Sequence, residues 1–213
     1  MQLHGFFNSS TSYRVRIALA LKGLAYDTLP VNIRVGEHRA ADYVAKVNAS
    51  ASVPALVDGE FRVGQSLAII DYLDQLHPEP RLVPLEPQRR ARVLELAMLV
   101  ACDIHPVNNL RVLRYLDSDL KVTPQQKAAW YRHWIADGMA GVERLLERAD
   151  AGPWCFGDAP TLADVCVVPQ VANALRMDCD LGAYPRSLAV YEYALRHPAF
   201  DAAQPQRQPD YVA

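Results

Sequence analysis

Four hydroxyl residues stand together at Ser9, Ser10, Thr11 and Ser12, between an apolar start at Leu3 to Phe6 and a run of good helix formers from Tyr13 to Lys22. A helix opening there presents unpaired N–H groups and the positive end of the backbone dipole. Such a place suits an anion, and a thiolate is an anion: a thiol of pKa about 8.5 is lowered in these surroundings. Taken alone, the cluster is explained as well by plain helix capping. A second junction is Ser52-Val53-Pro54. A proline just before a strand often sits in a turn and is sometimes cis. It would leave the Val53 N–H and C=O to pair with an extended peptide, as an added strand does. The simpler alternative is a proline that only starts a strand. The third junction is Gln65-Ser66, where an amide, a hydroxyl and helix N–H groups suit a carboxylate. Capping is again the simpler account. Together the three junctions point to a small anionic peptide carrying a thiol.

The elements that must position these residues follow from the pattern. Leu3 to Phe6 reads as a short strand, Tyr13 to Lys22 as a helix that is mostly buried, and Gly23 as the residue that ends it. Leu29, Val31 and Ile33 alternate as in a strand over 28–33. Residues 36–48 are polar and weakly periodic, an irregular helical stretch. Residues 55–57 and 61–63 flank Asp58-Gly59, which predicts a hairpin with a type I′ turn. Leu67, Ile70, Leu73 and Leu76 keep helical spacing, with Ser66 as the expected N-cap. The order β-α-β-(α)-β-β-α is short for a Rossmann pair and right for a compact α/β sandwich.

Residues 78–87 hold four prolines, which continue neither a helix nor a central strand. They predict a linker between a domain at 1–77 and a second at 88–213. The second part reads as all helical. Residues 87–117 form a long apolar-periodic run that Pro106 kinks or breaks. Thr123-Pro124-Gln125-Gln126 predicts a capping box with proline at N1. Thr161 and Asp164 predict a second box, ahead of the apolar run Val165 to Arg176. A last amphipathic helix is expected over 185–197, and the tail after Phe200 reads as loop.

With 22 Lys and Arg against 24 Asp and Glu, no general basic field favours nucleic acid as a partner. No apolar run approaches the roughly 18 residues of a membrane span, and Met1-Gln2-Leu3-His4 lacks the pattern of a secretory leader. The expected compartment is the cytoplasm. Cys102, Cys155, Cys166 and Cys179 form no C-x-x-C pair, so neither a zinc site nor a dithiol motif is written. They read as small buried apolar residues.

The segment Ser9 to Leu19, SSTSYRVRIAL, resembles the SSCSWRVRIAL signature of the zeta-class glutathione transferases. Val53-Pro54, Gln65-Ser66-Leu67-Ala68-Ile69-Ile70, Asn109-Leu110, Gly157-Asp158 with Thr161-Leu162-Ala163-Asp164, and Val168-Pro169-Gln170-Val171-Ala172-Asn173-Ala174 match as well, so the resemblance covers nearly the whole chain. It implies a thioredoxin-like N-terminal domain, an all-helical C-terminal domain, a homodimer and bound glutathione. It also implies glutathione-dependent cis–trans isomerisation, since the family includes the maleylpyruvate and maleylacetoacetate isomerases. Conjugation, peroxidase activity and a non-catalytic glutathione-binding relative are the alternatives. Thr11 departs from the signature, where the family usually has Cys, so that side chain has no covalent or redox role. Asn8 stands where some relatives have Arg.

The resemblance assigns the thiolate to Ser9, Ser10 and Thr11, and other parts of glutathione to His38, Val53, Gln65, Ser66, His105 and Asn109. A dicarboxylate substrate then needs cationic partners. Arg111 and Arg176 are the candidates, because a guanidinium pairs bidentately with a carboxylate. Arg176 is counted with the catalytic residues, although an Arg closing a helix also serves as a plain dipole partner. Within the family the reading favours maleylpyruvate and the breakdown of gentisate.

Overall fold

The computed structural model describes residues 1–149 and 152–212. They fall into two compact units, Met1–Val83 with Leu195–Ala213, and Pro84–Ala194.

The first unit is built on a four-stranded mixed sheet in the order β2-β1-β3-β4. Strand β1 (Gln2–Gly5) runs parallel to β2 (Asp27–Pro30) and antiparallel to β3 (Ala55–Asp58), which pairs antiparallel with β4 (Phe61–Gly64). Helix α1 (Ser10–Leu21) links the parallel pair, as a parallel connection requires. The short α2 (Ala41–Lys46) and then α3 (Ser66–Leu76) complete the order read from the sequence. This is the expected thioredoxin-like arrangement. Helix α1 is buried from Ser12 to Leu19. Gly23, at φ 63, ends it in a Schellman motif: Leu24 N–H donates to Leu19 O at 3.0 Å and Gly23 N–H to Ala20 O at 3.1 Å.

Three local expectations shift. Asp58 pairs with Phe61, so the hairpin turn is Gly59-Glu60 rather than Asp58-Gly59. Only Gly59 is at positive φ there, which suits a type II′ turn and not type I′. The N-cap of α3 is Gln65 instead of Ser66. The second strand ends at Pro30, short of the expected Ile33, because its neighbour β1 ends at Gly5: Val31 N–H to Gly5 O at 2.7 Å is the last ladder bond.

The expected linker belongs in part to the first unit. Asp74 is fully buried and accepts the N–H groups of Leu82 and Val83 as well as Lys22 Nζ at 2.7 Å. A buried carboxylate needs such partners, and they hold residues 81–83 against α3.

The second unit is helical: α4 (Pro87–Met98), α5 (Leu110–Ser118), α6 (Pro124–Arg148), α7 (Leu162–Arg176) and α8 (Pro185–Ala194). The expected break at Pro106 is present. A wider π-type stretch, Leu99–Ile104, and one tight turn, Pro106–Asn108, lie between α4 and α5. Both expected capping boxes form, Thr123 with Gln126 and Thr161 with Asp164. Asp164 is wholly buried and also accepts Cys155 N–H at 2.7 Å. Glu143, buried on α6, accepts the N–H groups of Arg186 and Ser187 and the Ser187 hydroxyl, which caps α8.

The assignment of all residues from 88 to 213 to the helical domain does not hold. Helix α8 stops at Ala194, and the tail expected to be loop carries α9 (Pro198–Ala202) and a further turn, Pro205–Arg207. This tail packs on the first unit. Arg16 Nε donates to Ala203 O at 2.9 Å, and Phe200, fully buried, receives the Tyr13 hydroxyl on its carbonyl at 3.4 Å.

Candidate functional site

Ser9 is the N-cap of α1, and its Oγ accepts Ser12 N–H at 3.2 Å. Thr11 Oγ1 donates to Val53 O at 3.1 Å and lies 2.9 Å from Ser9 Oγ. With the Thr11 proton committed to the carbonyl, the Ser9 hydroxyl donates to Thr11. The resulting chain, Ser9 to Thr11 to Val53, uses both hydroxyl protons. The expected role of Thr11, and with it that of Ser9, as donor to a thiolate is therefore displaced in this geometry. Ser10, the first residue of α1 and half-buried, keeps its hydroxyl. The N–H groups of Ser10 and Thr11 likewise have no partner among the described residues, as the first turn of a helix leaves them.

Val53 precedes a cis peptide bond to Pro54. Its N–H faces no partner among the described residues, and its carbonyl, with two lone pairs, keeps one beside Thr11. The expected pair of backbone groups is thus present, with half of the carbonyl's capacity already taken. The turn before it is fixed from α2 and the residues after it. Tyr43 Oη and Asn48 Nδ2 both donate to Ser52 O at 2.8 Å.

Gln65 is exposed and held at φ 65 and ψ 114 at the start of α3. An L-residue at positive φ is strained by about 1–3 kcal/mol, and such strain is common at binding sites. Its side chain caps nothing. Ser66 is buried, and its hydroxyl accepts from Arg14 Nη1 at 3.4 Å, which links the start of α3 to the middle of α1. His38 is buried in a single turn, Glu37–Arg39.

The first unit therefore brings Ser10, Thr11 and Val53 to one place and offers a second helix N-terminus at Gln65-Ser66. These parts fit a γ-glutamyl tripeptide: N–H donors and a hydroxyl for the thiolate, a backbone N–H and C=O for its cysteinyl unit, and a helix start for a carboxylate.

The remaining expected residues lie in the second unit. His105 is half-buried at the end of the π-type stretch, its N–H on Val100 O at 3.0 Å. Asn109 is the N-cap of α5, its Oδ1 accepting Val112 N–H at 3.2 Å, so the acceptor of the expected glutathione ligand is used as a cap. Trp130 and Asn108 tie this turn to α6 through Val107 O and Tyr131 O. Arg111 is exposed in the first turn of α5. Arg176 is exposed at the end of α7, and its Nη2 donates to Asn173 Oδ1 at 2.6 Å. Asn173 Nδ2 in turn donates to Tyr131 Oη at 2.6 Å. Burial lifts the Tyr131 phenol to about 12 against the opposing pull of Arg176 and Asn173, so it stays protonated at neutral pH.

Sequence reasoning missed Asn173 as the partner of Arg176, and Tyr131 as the partner of Asn173. The i, i+3 spacing of Asn173 and Arg176 was a signal for the first. Tyr131 read only as part of the apolar stripe of its helix. The cysteine expectation holds for Cys155, Cys166 and Cys179 and fails for Cys102, which is exposed. No His, Cys, Asp or Glu cluster fit for a metal occurs among the described residues, and no described helix is long and apolar enough to cross a membrane.

A mixed four-stranded sheet carrying an anion-ready helix start beside a cis-proline backbone edge, followed by a helical domain, defines a class. Residues 3–81 match the glutathione S-transferase N-terminal domain and residues 128–200 its C-terminal domain, and the chain belongs to that family. It is 48% identical, over the full length of both chains, to the maleylacetoacetate isomerase of Pseudomonas aeruginosa. Among solved structures it resembles the holo form of a maleylpyruvate isomerase described as a bacterial zeta-class glutathione S-transferase, at 42% identity and a TM-score of 0.96 over all of both chains. It also resembles the maleylacetoacetate isomerase of Methylobacterium extorquens AM1 with bound malonate and glutathione, at 35% identity and a TM-score of 0.95, again over all of both chains.

Proposed function

We propose that the protein is a glutathione-dependent cis–trans isomerase that converts maleylpyruvate to fumarylpyruvate. The observation that carries this reading is the start of α1. The Ser10 hydroxyl and the N–H groups of Ser10 and Thr11 are unspent there among the described residues, and no cysteine of the chain stands in the loop to act as its own nucleophile. A site that stabilises a thiolate and supplies none is built for a borrowed thiol.

When bound, glutathione supplies a thiolate that adds reversibly to the cis double bond, which becomes a single bond free to rotate until the thiolate leaves. Ser10 and the α1 N-terminus hold the sulfur anionic at neutral pH. Val53 N–H and its carbonyl align the peptide as an added strand, and Gln65-Ser66 takes a carboxylate. Arg176 clamps a substrate carboxylate, its guanidinium held by Asn173, which Tyr131 fixes in turn, and Arg111 is the candidate for the other end. Preset cations of this kind also stabilise negative charge that develops on the ketone oxygen next to the double bond.

Maleylacetoacetate is the second reading, favoured by the name of the Pseudomonas aeruginosa relative. Both substrates carry a carboxylate at each end and differ by one methylene, which distinguishes them by only about 1–3 kcal/mol in a fitted pocket. Two arginines accept either, so the choice rests on measurement. The protein is expected in the cytoplasm, as a homodimer, in the breakdown of gentisate. Steady-state rates with both substrates test the reading: a higher kcat/KM for maleylpyruvate upholds it, the reverse order selects the second, and no turnover of either rejects both. Arg176→Ala is expected to raise KM and to lower kcat/KM by about 2–4 kcal/mol, the loss of a charged carboxylate partner, with glutathione affinity unchanged.

A further inference from the structure

The loop that leads into α1 is held from outside itself. Phe6 and Phe7 stand immediately before Asn8 and the N-cap Ser9, and all four of their backbone polar groups are engaged. Phe6 N–H donates to Ser12 Oγ at 3.4 Å, and Phe6 O accepts Ser9 N–H at 3.0 Å and Arg16 Nη1 at 3.4 Å. Phe7 O accepts Arg16 Nη2 at 3.0 Å, and Phe7 N–H donates to Asp210 Oδ2 at 2.9 Å. Asp210 lies 203 residues away in the chain, on the tail whose sequence reads as loop. The same Arg16 donates through Nε to Ala203 O, so a single guanidinium spans the loop and the tail. The Tyr211 ring meets the Phe7 ring edge-on at 5.4 Å. The charged groups around the two phenylalanines are Arg16, Arg34 over their rings, and Asp210.

Arg16 is 3% exposed with no carboxylate hydrogen-bonded to it among the described residues, and burial pulls it down to about 10, with Asp210 opposing that shift. A buried guanidinium is costly to keep without a fixed set of acceptors. Here the acceptors are three carbonyls, two in the loop and one in the tail, and they specify one arrangement of both.

We propose that Asp210 is a positioning residue for thiolate binding: with Arg16 it straps the C-terminal tail to the Phe6-Phe7 backbone and so sets where the Ser9-Ser10-Thr11 turn presents its donors. This rests on the reading that the turn at Ser10 holds the glutathione thiolate. Charge and geometry make opposite demands, which separates them. Removing the negative charge of Asp210 would by itself favour a nearby thiolate and lower the thiol pKa. Releasing Phe7 would displace the donors and raise it.

The test is the pKa of enzyme-bound glutathione, read from thiolate ultraviolet absorbance, with the glutathione Kd and melting temperature of each variant. Asp210→Ala is expected to raise the thiol pKa and weaken glutathione by about tenfold, the loss of one charge-assisted hydrogen bond. Asp210→Asn keeps an acceptor for Phe7 N–H and is expected to restore the wild-type pKa or fall below it. Tyr211→Ala loosens the same strap without touching charge and should move the pKa in the direction of Asp210→Ala. Ser10→Ala is the control for the site. If Ser10→Ala raises the pKa while Asp210→Ala and Tyr211→Ala lower only the melting temperature, the strap is structural and the proposal fails while the site stands. If Ser10→Ala also leaves the pKa unchanged, the site reading fails, and the proposal with it.

Discussion

At the scale of single residues, the hydroxyl that is spent matters as much as the one that is spare. Thr11 departs from the cysteine of the signature that its segment resembles, and its hydroxyl is turned to Val53 O. Ser10 has no such engagement, so the two should respond differently to truncation. Ser10→Ala is expected to raise the pKa of bound glutathione by about 1–2 units, as for a hydrogen bond to a charged group. Thr11→Ala should move it less, because what it loses is a tie to the Val53 backbone. Equal shifts in the pH–rate profiles of the two variants would contradict this ordering. The cysteines give a second contrast. Burial raises the Cys155 thiol well above its ordinary range, with Asp164 beside it adding to the rise, and burial raises Cys179 as well. Cys102 is exposed. In the folded protein one thiol should react promptly with an alkylating reagent, and all four should react after denaturation. Mass spectrometry of the labelled chain identifies which, and prompt labelling of Cys155 would refute the assignment.

Among the elements, α2 and the turn that follows it support the Val53 edge. Tyr43 is the link, since its hydroxyl holds Ser52 O one residue before Val53. Burial raises the Tyr43 phenol to about 12 from its ordinary 10.0. The folded state then keeps this proton more tightly than the unfolded chain. Its contribution to stability is complete below about pH 10 and is lost as the pH rises towards 12, where the unfolded chain has already ionised. Tyr131 carries the same sign. Denaturant melts between pH 9 and pH 12 should therefore show stability falling with pH. Tyr43→Phe should cost about 0.5–1.5 kcal/mol at neutral pH for its hydrogen bond and make the alkaline decline shallower. A decline of unaltered steepness in that variant would assign the effect to other groups.

For the molecule as a whole, the borrowed thiol has a bookkeeping consequence. Glutathione should be required for turnover and should not be consumed, because the sulfur that adds to the substrate is the one that leaves. Protein stripped of glutathione should be inactive, and thiol titration after many turnovers should recover all of the glutathione supplied. Full activity in the stripped protein would sink the mechanism. Saturating glutathione should also stabilise the fold, by about 2.7 kcal/mol at a hundred times its Kd if it binds only the folded state.

What the sequence determined by itself was the set of parts whose causes are local. Hydrophobic spacing places α3, and runs of helix-forming or apolar residues place α1 and α7. Gly23, Thr123 with Gln126, and Thr161 with Asp164 mark ends that the structure keeps, since a cap is made by residues within one turn of each other. The proline run marked the change of domain, and the segment from Ser9 to Leu19 carried the family. Tertiary structure alone decided everything that depends on distant partners. The direction of the Thr11 hydroxyl is set by Val53, 42 residues on. Arg176 is tied through Asn173 to Tyr131 on another helix. The tail after Phe200 is polar and proline-marked and gives no periodic signal, yet it is ordered by groups that lie almost a whole chain away, Arg16 and the Phe7 N–H. A buried guanidinium and an unpaired backbone amide must find acceptors somewhere, and only the folded chain shows that its own C-terminal residues, Ala203 and Asp210, supply one for each.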